Sequence, residues 1–367
     1  MSLQKLDIYG VRNIQQISIN PSPALNFIIG SNGSGKSSLL EAIYILGRAS
    51  SFRSIHIKNV INYNAQNIIV AGQALQKNGA YIHLGIQLNT KTCEIHINQL
   101  PNQKRSALAY ALPIQLIQPI SYQLIDGGSS FRREFMDWGI FNHEDRFLPL
   151  WRRFKKALLQ RNTLLKTSAL KQIKAWDKEL VEYALPIAQM RFEYIQQLKP
   201  IFLEICHNFL AFNDIQIKTF SGWDEQKELQ QLLTDNLNRD CRYGYTHYGP
   251  HRGDFLLFMN DKPAKDFASR GQLKILVLAL KLAQVHLLHL KFNNIGCILI
   301  DDLAAELDLS NLNKLLSYLA SMNFQVFLTA TELQNFGNLH NLPEFKVFHV
   351  EHGNIKQTKV PRGTFLQ

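Results

Sequence analysis

Short apolar segments bounded by polar turns dominate the first third of the chain. The apolar run Leu25–Ile29 predicts a buried strand, and residues 37–46 place apolar side chains at helical spacing. Segments 67–75, 80–88 and 92–100 have a composition typical of strands and are separated by polar turns, which predicts an antiparallel meander.

The middle of the chain changes to a helical pattern. Residues 131–212 are rich in glutamine, lysine and leucine, and Pro186 and Pro200 predict helix ends or kinks within them. Apolar segments then return as a helix from residue 269 to about residue 290 and as strands 297–300 and 325–328. The order of these elements predicts an α/β protein with a helical region in its middle.

Gly30–Ser37 fills every fixed position of the phosphate-binding loop G-x-x-x-x-G-K-[ST], between a predicted strand and a predicted helix. Glycines let successive N–H groups point at phosphate oxygens, and the helix adds its positive end. Lys36 should reach the β- and γ-phosphates of ATP, and the Ser37 hydroxyl should bind Mg²⁺. The residues expected to bind ATP are Gly30, Ser31, Asn32, Gly33, Ser34, Gly35, Lys36, Ser37 and Ser38. The alternative is a Gly/Ser-rich turn without a ligand.

Two carboxylates follow the apolar strand 297–300. Asp301 is expected on the metal beside Ser37, and Asp302 could orient or deprotonate the attacking water. Lys36, Asp301 and Asp302 are therefore the catalytic candidates, and Lys36 and Asp301 are not expected in the core. The alternative for the Asp pair is a strand that leads into an acidic helix cap. Because Lys36 and Asp301 lie far apart in the sequence, the helical region should be inserted between two halves of one nucleotide-binding core.

Ser269–Lys274, here called the signature segment, resembles the signature sequence of ABC-type ATPases and lies at the start of an apolar helix. In that family this segment closes over the γ-phosphate held by a partner subunit. The resemblance implies that Ser269, Gly271 and Gln272 act in trans within an ATP-sandwich dimer. Ala305–Asp308 resembles the D-loop of the same proteins. The alternative for the signature segment is a helix N-cap at Ser269.

Further segments resemble the RecF family of bacterial recombination mediators from end to end. They are Leu6–Ile14, Asp126–Asp137 and Gly249–Arg252, followed in order by Ser269–Lys274 and Asp301–Asp308. The resemblance implies an ABC-type ATPase head with mixed sheets and an inserted, mainly helical lobe. One lobe would hold residues 1–120 and 290–367 and the other residues 121–289. It also implies a cytoplasmic protein that binds ATP and single- and double-stranded DNA, dimerises with ATP, and helps RecO and RecR to load RecA.

The chain departs from these family patterns in a few places. Ile120 follows Pro119 where the family often has Glu, and Gln118 is only a candidate counterpart of the Q-loop glutamine. Thr329 stands near the position where many ABC ATPases have a switch histidine, and Asp302 is one methylene shorter than their catalytic Glu. These differences suggest slow hydrolysis, with ATP acting as a switch.

Composition agrees with an intracellular nucleic-acid protein. The chain has 367 residues, of which 46% are hydrophobic, and a net charge of +11, which predicts attraction to polyanions. Neither a signal peptide nor an apolar run long enough to cross a membrane is recognised, so a cytoplasmic protein is expected. The four cysteines are scattered without C-x-x-C spacing, which favours free thiols over a disulfide framework or a zinc site.

One predicted helix has a basic side and an apolar side. Arg152, Arg153, Lys155, Lys156 and Lys166 fall on one arc, here called the basic face, opposite Leu150, Phe154, Ala157, Leu158 and Leu165. The first four are candidate contacts to DNA phosphates, and the alternative is an ordinary solvated face. Arg161 falls inside the apolar arc, where a buried ion pair or a snorkelling side chain is expected.

His251 and Arg252 follow a Gly-Pro turn. They could cap local carbonyl groups, or they could lie near phosphates of ATP or DNA.

Three functions remain open on the sequence. The first is a DNA-binding ABC-type ATPase that acts as a recombination mediator, and the second is a P-loop kinase or transporter subunit without a DNA role. A kinase has no use for the signature segment, and a transporter subunit should lack a large basic helical insert. The third is a DNA scaffold that binds ATP with vestigial hydrolysis.

Overall fold

A computed structural model of the chain describes residues 1–358 except 77, 103, 168, 210–213, 293–295, 303–305, 323, 338, 340–341 and 343. The chain divides into two compact units. Unit 1 consists of Met1–Ile120 and Leu288–Gln367, and unit 2 of Ser121–Leu287.

The first sheet of unit 1 is antiparallel and has six strands among the described residues. They are β1 (Ser2–Val11), β2 (Ile14–Ile19), β4 (Ile68–Leu75), β5 (Tyr81–Leu88), β6 (Cys93–Ile97) and β7 (Leu100–Asn102), in the spatial order β2-β1-β4-β5-β6-β7. Buried positions alternate along β4 and β5, so one face of the sheet lies in the core. The predicted meander is confirmed in β4, β5 and β6, and β7 extends it.

The second sheet of unit 1 combines strands from both ends of the chain. It contains β3 (Leu25–Ile29), β8 (Ile114–Ile117), β12 (Cys297–Ile300), β13 (Gln325–Ala330), β14 (Phe345–Glu351) and β15 (Asn354–Thr358), in the order β15-β14-β3-β13-β12-β8. Strands β14, β3, β13, β12 and β8 are parallel to one another, so their carboxyl ends lie at one edge. Every residue of β3, β12 and β13 is buried, which explains why their sequences are mainly apolar.

Helix α1 (Lys36–Arg48) packs against strands of both sheets and forms the centre of the unit 1 core. Its buried residues include Leu39, Ile43 and Leu46. Unit 1 also contains α2 (Arg105–Ala111) and α11 (Leu309–Ser321).

Unit 2 is mainly helical. Its helices are α3 (Gln123–Asp126), α4 (Ser129–His143), α5 (Phe147–Thr167), α6 (Ile173–Phe209), α7 (Leu229–Asp235), α8 (Leu237–Tyr243) and α9 (Ala264–Phe267), and α10 (Arg270–Phe292) begins in it. A small antiparallel sheet has the order β11-β10-β9, formed by β9 (Ile215–Phe220), β10 (Asp254–Met259) and β11 (Lys262–Pro263). Helices α5 and α6 pack together.

Of the two outcomes predicted for Pro186 and Pro200, a helix end does not occur, and a kink stays a prediction. Pro186 and Pro200 both lie inside α6, which continues for 37 residues. Each proline removes one backbone hydrogen bond, but buried neighbours such as Ile187 and Phe202 hold the helix by packing.

Helix α10 corrects the expectation that no apolar run could cross a membrane. Arg270–Lys291 is long and apolar enough by length and composition, with a mean hydropathy of 1.6. Because 72% of the window is buried inside the protein and core helices pass the same test, it is weak evidence for a span.

Candidate nucleotide-binding site

The phosphate-binding loop connects β3 to α1, as the motif requires. Gly33 and Gly35 have positive φ angles of 80° and 119°, which favour glycine. A Cβ atom on Gly35 would lie 2.9 Å from the side chain of Asn13, and one on Gly30 would lie 2.3 Å from the Val350 carbonyl oxygen. Both glycines are therefore required by the close packing around the loop.

Lys36 folds into the loop that precedes it. Its Nζ donates hydrogen bonds to the carbonyl oxygens of Gly30 (2.8 Å) and Ser31 (3.1 Å), and the residue is only 5% exposed. Asp301 is 7% exposed. The expectation that both residues lie outside the core is wrong, because the loop encloses the lysine and the sheet edge encloses the aspartate.

One polar atom in the loop has unmet hydrogen-bonding capacity. The Ser34 Oγ is buried and has no hydrogen-bond partner among the described residues. A buried hydroxyl without a partner is costly, and a phosphate oxygen would satisfy it. The geometry of the loop therefore fits a polyphosphate ligand.

Asp301 is the centre of a small hydrogen-bond cluster. Its Oδ1 accepts hydrogen bonds from the hydroxyls of Ser37 (3.0 Å) and Thr329 (2.8 Å). Burial raises the pKa of Asp301, and the charge of Asp302 raises it further, while the hydrogen bonds from Thr329 and Ser37 lower it. A hydroxyl and a desolvated carboxylate side by side fit a hard cation such as Mg²⁺.

The small donor set agrees with magnesium. The described residues contain no group of three or more His, Cys, Asp or Glu side chains suited to a metal ion. Mg²⁺ is usually held by one or two carboxylates together with substrate phosphates, so Ser37 and Asp301 suffice on the protein side.

Asp302 differs from its neighbour in exposure and backbone geometry. It is exposed and has a φ of 49°, which is uncommon for a residue other than glycine. Its backbone N–H donates to Thr329 Oγ1 at 2.8 Å, so Thr329 links the two aspartates. The assignments of Asp302 as the base and Thr329 as the switch residue stay predictions.

Gln118 follows β8 at the same sheet edge. The Asp301 N–H donates to the Ile117 carbonyl oxygen at 3.0 Å, which brings the residue after Ile117 near the Asp pair along the edge. Unit 1 thus contains the loop 30–38, Gln118, Asp301, Asp302 and Thr329. The signature segment and the basic face belong to unit 2.

The sequence alone did not identify the residues that support the loop. Asn13 Nδ2 and the Gly353 N–H each donate to the Ser34 carbonyl oxygen at 2.9 Å. Arg12 forms an ion pair with the fully buried Glu41 of α1 at 2.9 Å. Arg12 lies in the tight turn between β1 and β2 and has a φ of 53°, in the left-handed region. No spacing in the sequence links this turn to Ser34 or to Gly353.

The signature segment and the D-loop-like segment each contain an N-cap motif at the start of a helix. The backbone N–H of Ser269 donates to Gln272 Oε1 at 2.7 Å, and the Gln272 N–H donates to Ser269 Oγ at 3.2 Å, which is a capping box at the start of α10. Ser269 and Gly271 are exposed. In the D-loop-like segment, Asp308 caps α11 by accepting from the Asn311 N–H at 2.8 Å, whereas Ala305 lies outside the described residues.

Helix α5 has the expected two-sided character. Arg152, Arg153, Lys155, Lys156 and Lys166 are all exposed, whereas Phe154, Ala157 and Leu165 are buried. Arg153 donates to the Tyr183 hydroxyl at 3.2 Å, and Lys155 lies 5.3 Å from the centre of the Trp151 ring. The basic face is available to a ligand, and its role in DNA binding stays a prediction.

The buried ion pair expected at Arg161 is confirmed. Arg161 is fully buried and binds Asp177 Oδ1 at 2.5 Å and Asp240 Oδ2 at 2.6 Å. His251 caps a local carbonyl, because its Nε2 lies 2.9 Å from the Thr246 oxygen.

Comparison with known proteins places these features in a family context. The RecF/RecN/SMC N terminal domain matches residues 2–356. The chain is 39% identical over 363 residues to the DNA replication and repair protein RecF of Pseudomonas paraeruginosa, covering 98% of both chains. It is 40% identical over 365 residues to that of Azotobacter vinelandii, covering 98% of this chain and 99% of the relative.

Solved structures show the same fold. The recombination mediator protein RecF–ATP in the RecFOR pathway superposes with a TM-score of 0.87 and 23% identity, covering 97% of each chain. An SMC head bound to the C-winged helix domain of ScpA has a TM-score of 0.60 and 15% identity, covering 98% of this chain and 97% of that one. These likenesses confirm the predicted head architecture.

Proposed function

This chain belongs to the RecF family of DNA replication and repair proteins, and on that premise we propose that it is a DNA-binding ATPase that acts as an ATP-switched recombination mediator. The observation that carries the proposal is the cluster at the parallel sheet edge, where the Ser37 hydroxyl lies 3.0 Å from the buried Asp301 carboxylate beside the phosphate-binding loop. The matched relatives are RecF proteins along almost their whole length.

The loop binds and orients the triphosphate of ATP in this proposal. Backbone N–H groups of the loop and the start of α1 face the phosphates, and the Ser34 hydroxyl supplies an additional donor. Lys36, now bound to two loop carbonyls, provides the cation for the β- and γ-phosphates. When bound by Ser37 and Asp301, Mg²⁺ neutralises charge that develops on the phosphates.

Asp302 positions the attacking water, and Thr329 fixes Asp302 relative to Asp301. The Thr329 hydroxyl contacts both aspartates, so it can transmit a change at the metal side to the water side. Gln118 lies at the same sheet edge, and we propose that its side chain contacts the γ-phosphate region of the nucleotide. Without a switch histidine, hydrolysis is slow and ATP serves as a conformational switch.

The signature segment acts on the nucleotide of a second copy of the chain. Ser269 and Gly271 are exposed at the start of α10, where the positive end of the helix dipole favours an anion. Two copies joined by ATP would each complete the other's site through Ser269, Gly271 and Gln272. We accordingly propose an ATP-dependent homodimer. Within each chain, we propose lobe boundaries at residues 120 and 290.

DNA binds through phosphates along the basic face. Arg152, Arg153, Lys155 and Lys156 are exposed on one side of α5, and the net charge is +11. Such contacts carry no sequence information, and because both strand forms present phosphates, we propose that single- and double-stranded DNA are both bound. The RecFOR pathway named for the matched structure supports RecO and RecR as partners. Loading of RecA with these partners, in the bacterial cytoplasm, is part of the same proposal.

DNA-stimulated ATP turnover tests this function. We expect slow hydrolysis by the parent that rises on gapped, single-stranded or duplex DNA. Lys36→Ala should abolish it, while the matched control Lys5→Ala, which removes an exposed lysine of unit 1, should behave like the parent. A parent that hydrolyses ATP at a rate indifferent to every DNA would favour a P-loop enzyme of another class.

A further inference from the structure

Exposed aromatic rings cluster between the end of α8 and the turn before β10. Tyr243 is 55% exposed and Tyr245 is 38% exposed. Their ring centres lie 6.0 Å apart, and the Tyr245 ring lies 4.5 Å from that of His247 at an interplanar angle of 33°. Tyrosines with this much exposed ring surface are available for stacking with a ligand.

The cluster has a rigid base. His247 Nδ1 lies 2.6 Å from Asp240 Oδ1, and the other oxygen of Asp240 binds the buried Arg161. Thr246, which lies between Tyr245 and His247 in the sequence, is buried and accepts a hydrogen bond from Arg161 at 2.8 Å. These hydrogen bonds hold the backbone next to the rings in place. Little conformational entropy is therefore lost when a ligand binds to the rings.

Positive charge surrounds the rings. The Arg252 guanidinium lies 5.0 Å from the centre of the Tyr245 ring, and that of Arg242 lies 5.9 Å from the centre of the Tyr243 ring. Both arginines are exposed. The carboxylate in contact with the cluster, Asp240, is fully buried, so its charge faces inward.

The basic face of α5 continues into this cluster. Gly244 separates the two tyrosines, and a Cβ atom there would lie 3.1 Å from Cγ of Lys166. Burial, together with the charges of Arg252, Arg133 and Lys155, lowers the pKa of His251 to about 4 despite its hydrogen bond with the Thr246 carbonyl, and these charges indicate a positive potential on this side of unit 2. A phosphate backbone that follows α5 would thus lead its bases towards Tyr243 and Tyr245.

We propose that Tyr243 and Tyr245 form a stacking platform for unpaired bases of single-stranded DNA, flanked by Arg242 and Arg252. Aromatic rings next to cationic side chains bind bases of any sequence, since every base has a π-face. Bases of a duplex are stacked on one another and do not present their faces, so the platform selects single strands. The proposal rests on the proposed DNA-binding function and adds a base contact to its phosphate contacts.

Anisotropy titrations with three fluorescent probes test the platform. The probes are an oligothymidine of about 15 nucleotides, the same backbone without bases, and a duplex of similar length. The double variant Tyr243→Ala/Tyr245→Ala should bind oligothymidine about tenfold more weakly, and bind the abasic strand and the duplex like the parent. Tyr243→Phe/Tyr245→Phe keeps the rings and should keep the affinity.

Tyr81→Ala is the matched control, because Tyr81 is a 54% exposed tyrosine of unit 1. It should bind all three probes like the parent. The variants should keep the parent's melting temperature, since both tyrosines are exposed.

The outcomes separate this proposal from the function on which it rests. A parent that binds no probe would overturn both. A parent that binds the abasic strand as tightly as oligothymidine, or an alanine variant that loses all three probes equally, would overturn the platform and leave DNA binding standing. The abasic comparison uses the parent alone and decides the matter even if the alanine variant fails to fold.

Discussion

At the scale of single residues, the buried Asp301 carboxylate lowers the stability of the folded chain at the position where it is proposed to bind Mg²⁺. Its carboxylate is buried, and burial raises its pKa above the ordinary value. A raised carboxyl pKa contributes stability below the unfolded pKa, and that contribution is lost as the pH rises through the folded pKa. The ionised Asp301 therefore destabilises the folded chain at neutral pH in the absence of a cation.

Asp301→Asn should raise the melting temperature at about pH 7.5 without nucleotide, and the gain should shrink towards about pH 4. The asparagine oxygen can still accept from Ser37 and Thr329, so the geometry is kept. Magnesium-dependent ATP turnover should be lost in the same variant. Differential scanning calorimetry across pH measures the effect, with the exposed Asp302→Asn as the control. A variant less stable than the parent at neutral pH would show that the Asp301 charge is compensated.

Residue spacing identified the loop and the Asp pair because these motifs are contiguous in sequence. The supporting contacts of Asn13 and Gly353 with Ser34 arise from segments far apart in the chain, and no local pattern encodes them. The sequence also misjudged the burial of Lys36 and Asp301. Charged residues are usually exposed, and only the closed loop and sheet edge of the fold override that tendency.

At the scale of elements, α5 separates a basic face from a packed face. Four exposed side chains of the basic face should each contribute about 0.9 to the slope of log K against log salt on duplex DNA if each contacts a phosphate. Replacing Arg152, Arg153, Lys155 and Lys156 by Gln should flatten that slope and weaken binding to unrelated sequences equally. Nitrocellulose filter binding at several salt concentrations measures both the slope and the affinity.

A charge-matched variant controls for the loss of net charge. It replaces four exposed lysines elsewhere in unit 2 by Gln, which are Lys171, Lys174, Lys178 and Lys227. If both variants change the slope equally, the effect belongs to overall charge and the α5 face is not the DNA site.

The packed side of α5 contains the buried Arg161 bound to two aspartates. Arg161→Met would leave Asp177 and Asp240 buried without a cation, at a cost of about 3–5 kcal/mol in the free energy of unfolding. Burial already raises the pKa of Asp177. The loss should therefore be largest at neutral pH and smaller below about pH 4, where the carboxyls take up protons.

Urea unfolding at both pH values tests this prediction. Arg152→Met, which removes an exposed arginine of the same helix, should change the free energy of unfolding by less than about 0.5 kcal/mol. A small loss in Arg161→Met at neutral pH would mean that the two aspartates are stabilised by other groups.

Helical spacing placed Arg161 correctly on the apolar side of α5, because periodicity encodes which face is buried. No helix ends at Pro186 or Pro200, because the packing of α6 outweighs the local preference of proline for a helix end, and the predicted alternative of a kink is untested. Strand positions were predicted well where a strand is buried along its whole length, as in β3 and β12, since such strands are mainly apolar.

At the scale of the whole molecule, unit 1 is assembled from both ends of the chain around one parallel sheet edge. The order of the motifs suggested such an arrangement, but the pairing of β3 with β13 and β14 could not be predicted from one sequence. The signature segment is a complete capping box within its own chain. A role for this segment on a nucleotide requires another copy of the chain, so the proposed switch depends on ATP-driven dimerisation.

Light scattering with ATP, ADP or no nucleotide, at tens of micromolar protein with Mg²⁺, measures this dimerisation. We expect a dimer with ATP alone. We also expect that Ser269→Arg binds ATP but stays monomeric, because bulk and positive charge would occupy the proposed contact with the partner's nucleotide. Ser130→Arg, an exposed serine near the start of α4, is the matched control and should dimerise like the parent. An ATP-bound parent that stays monomeric, or a Ser269→Arg variant that dimerises as well as the parent, would contradict the ATP-sandwich switch.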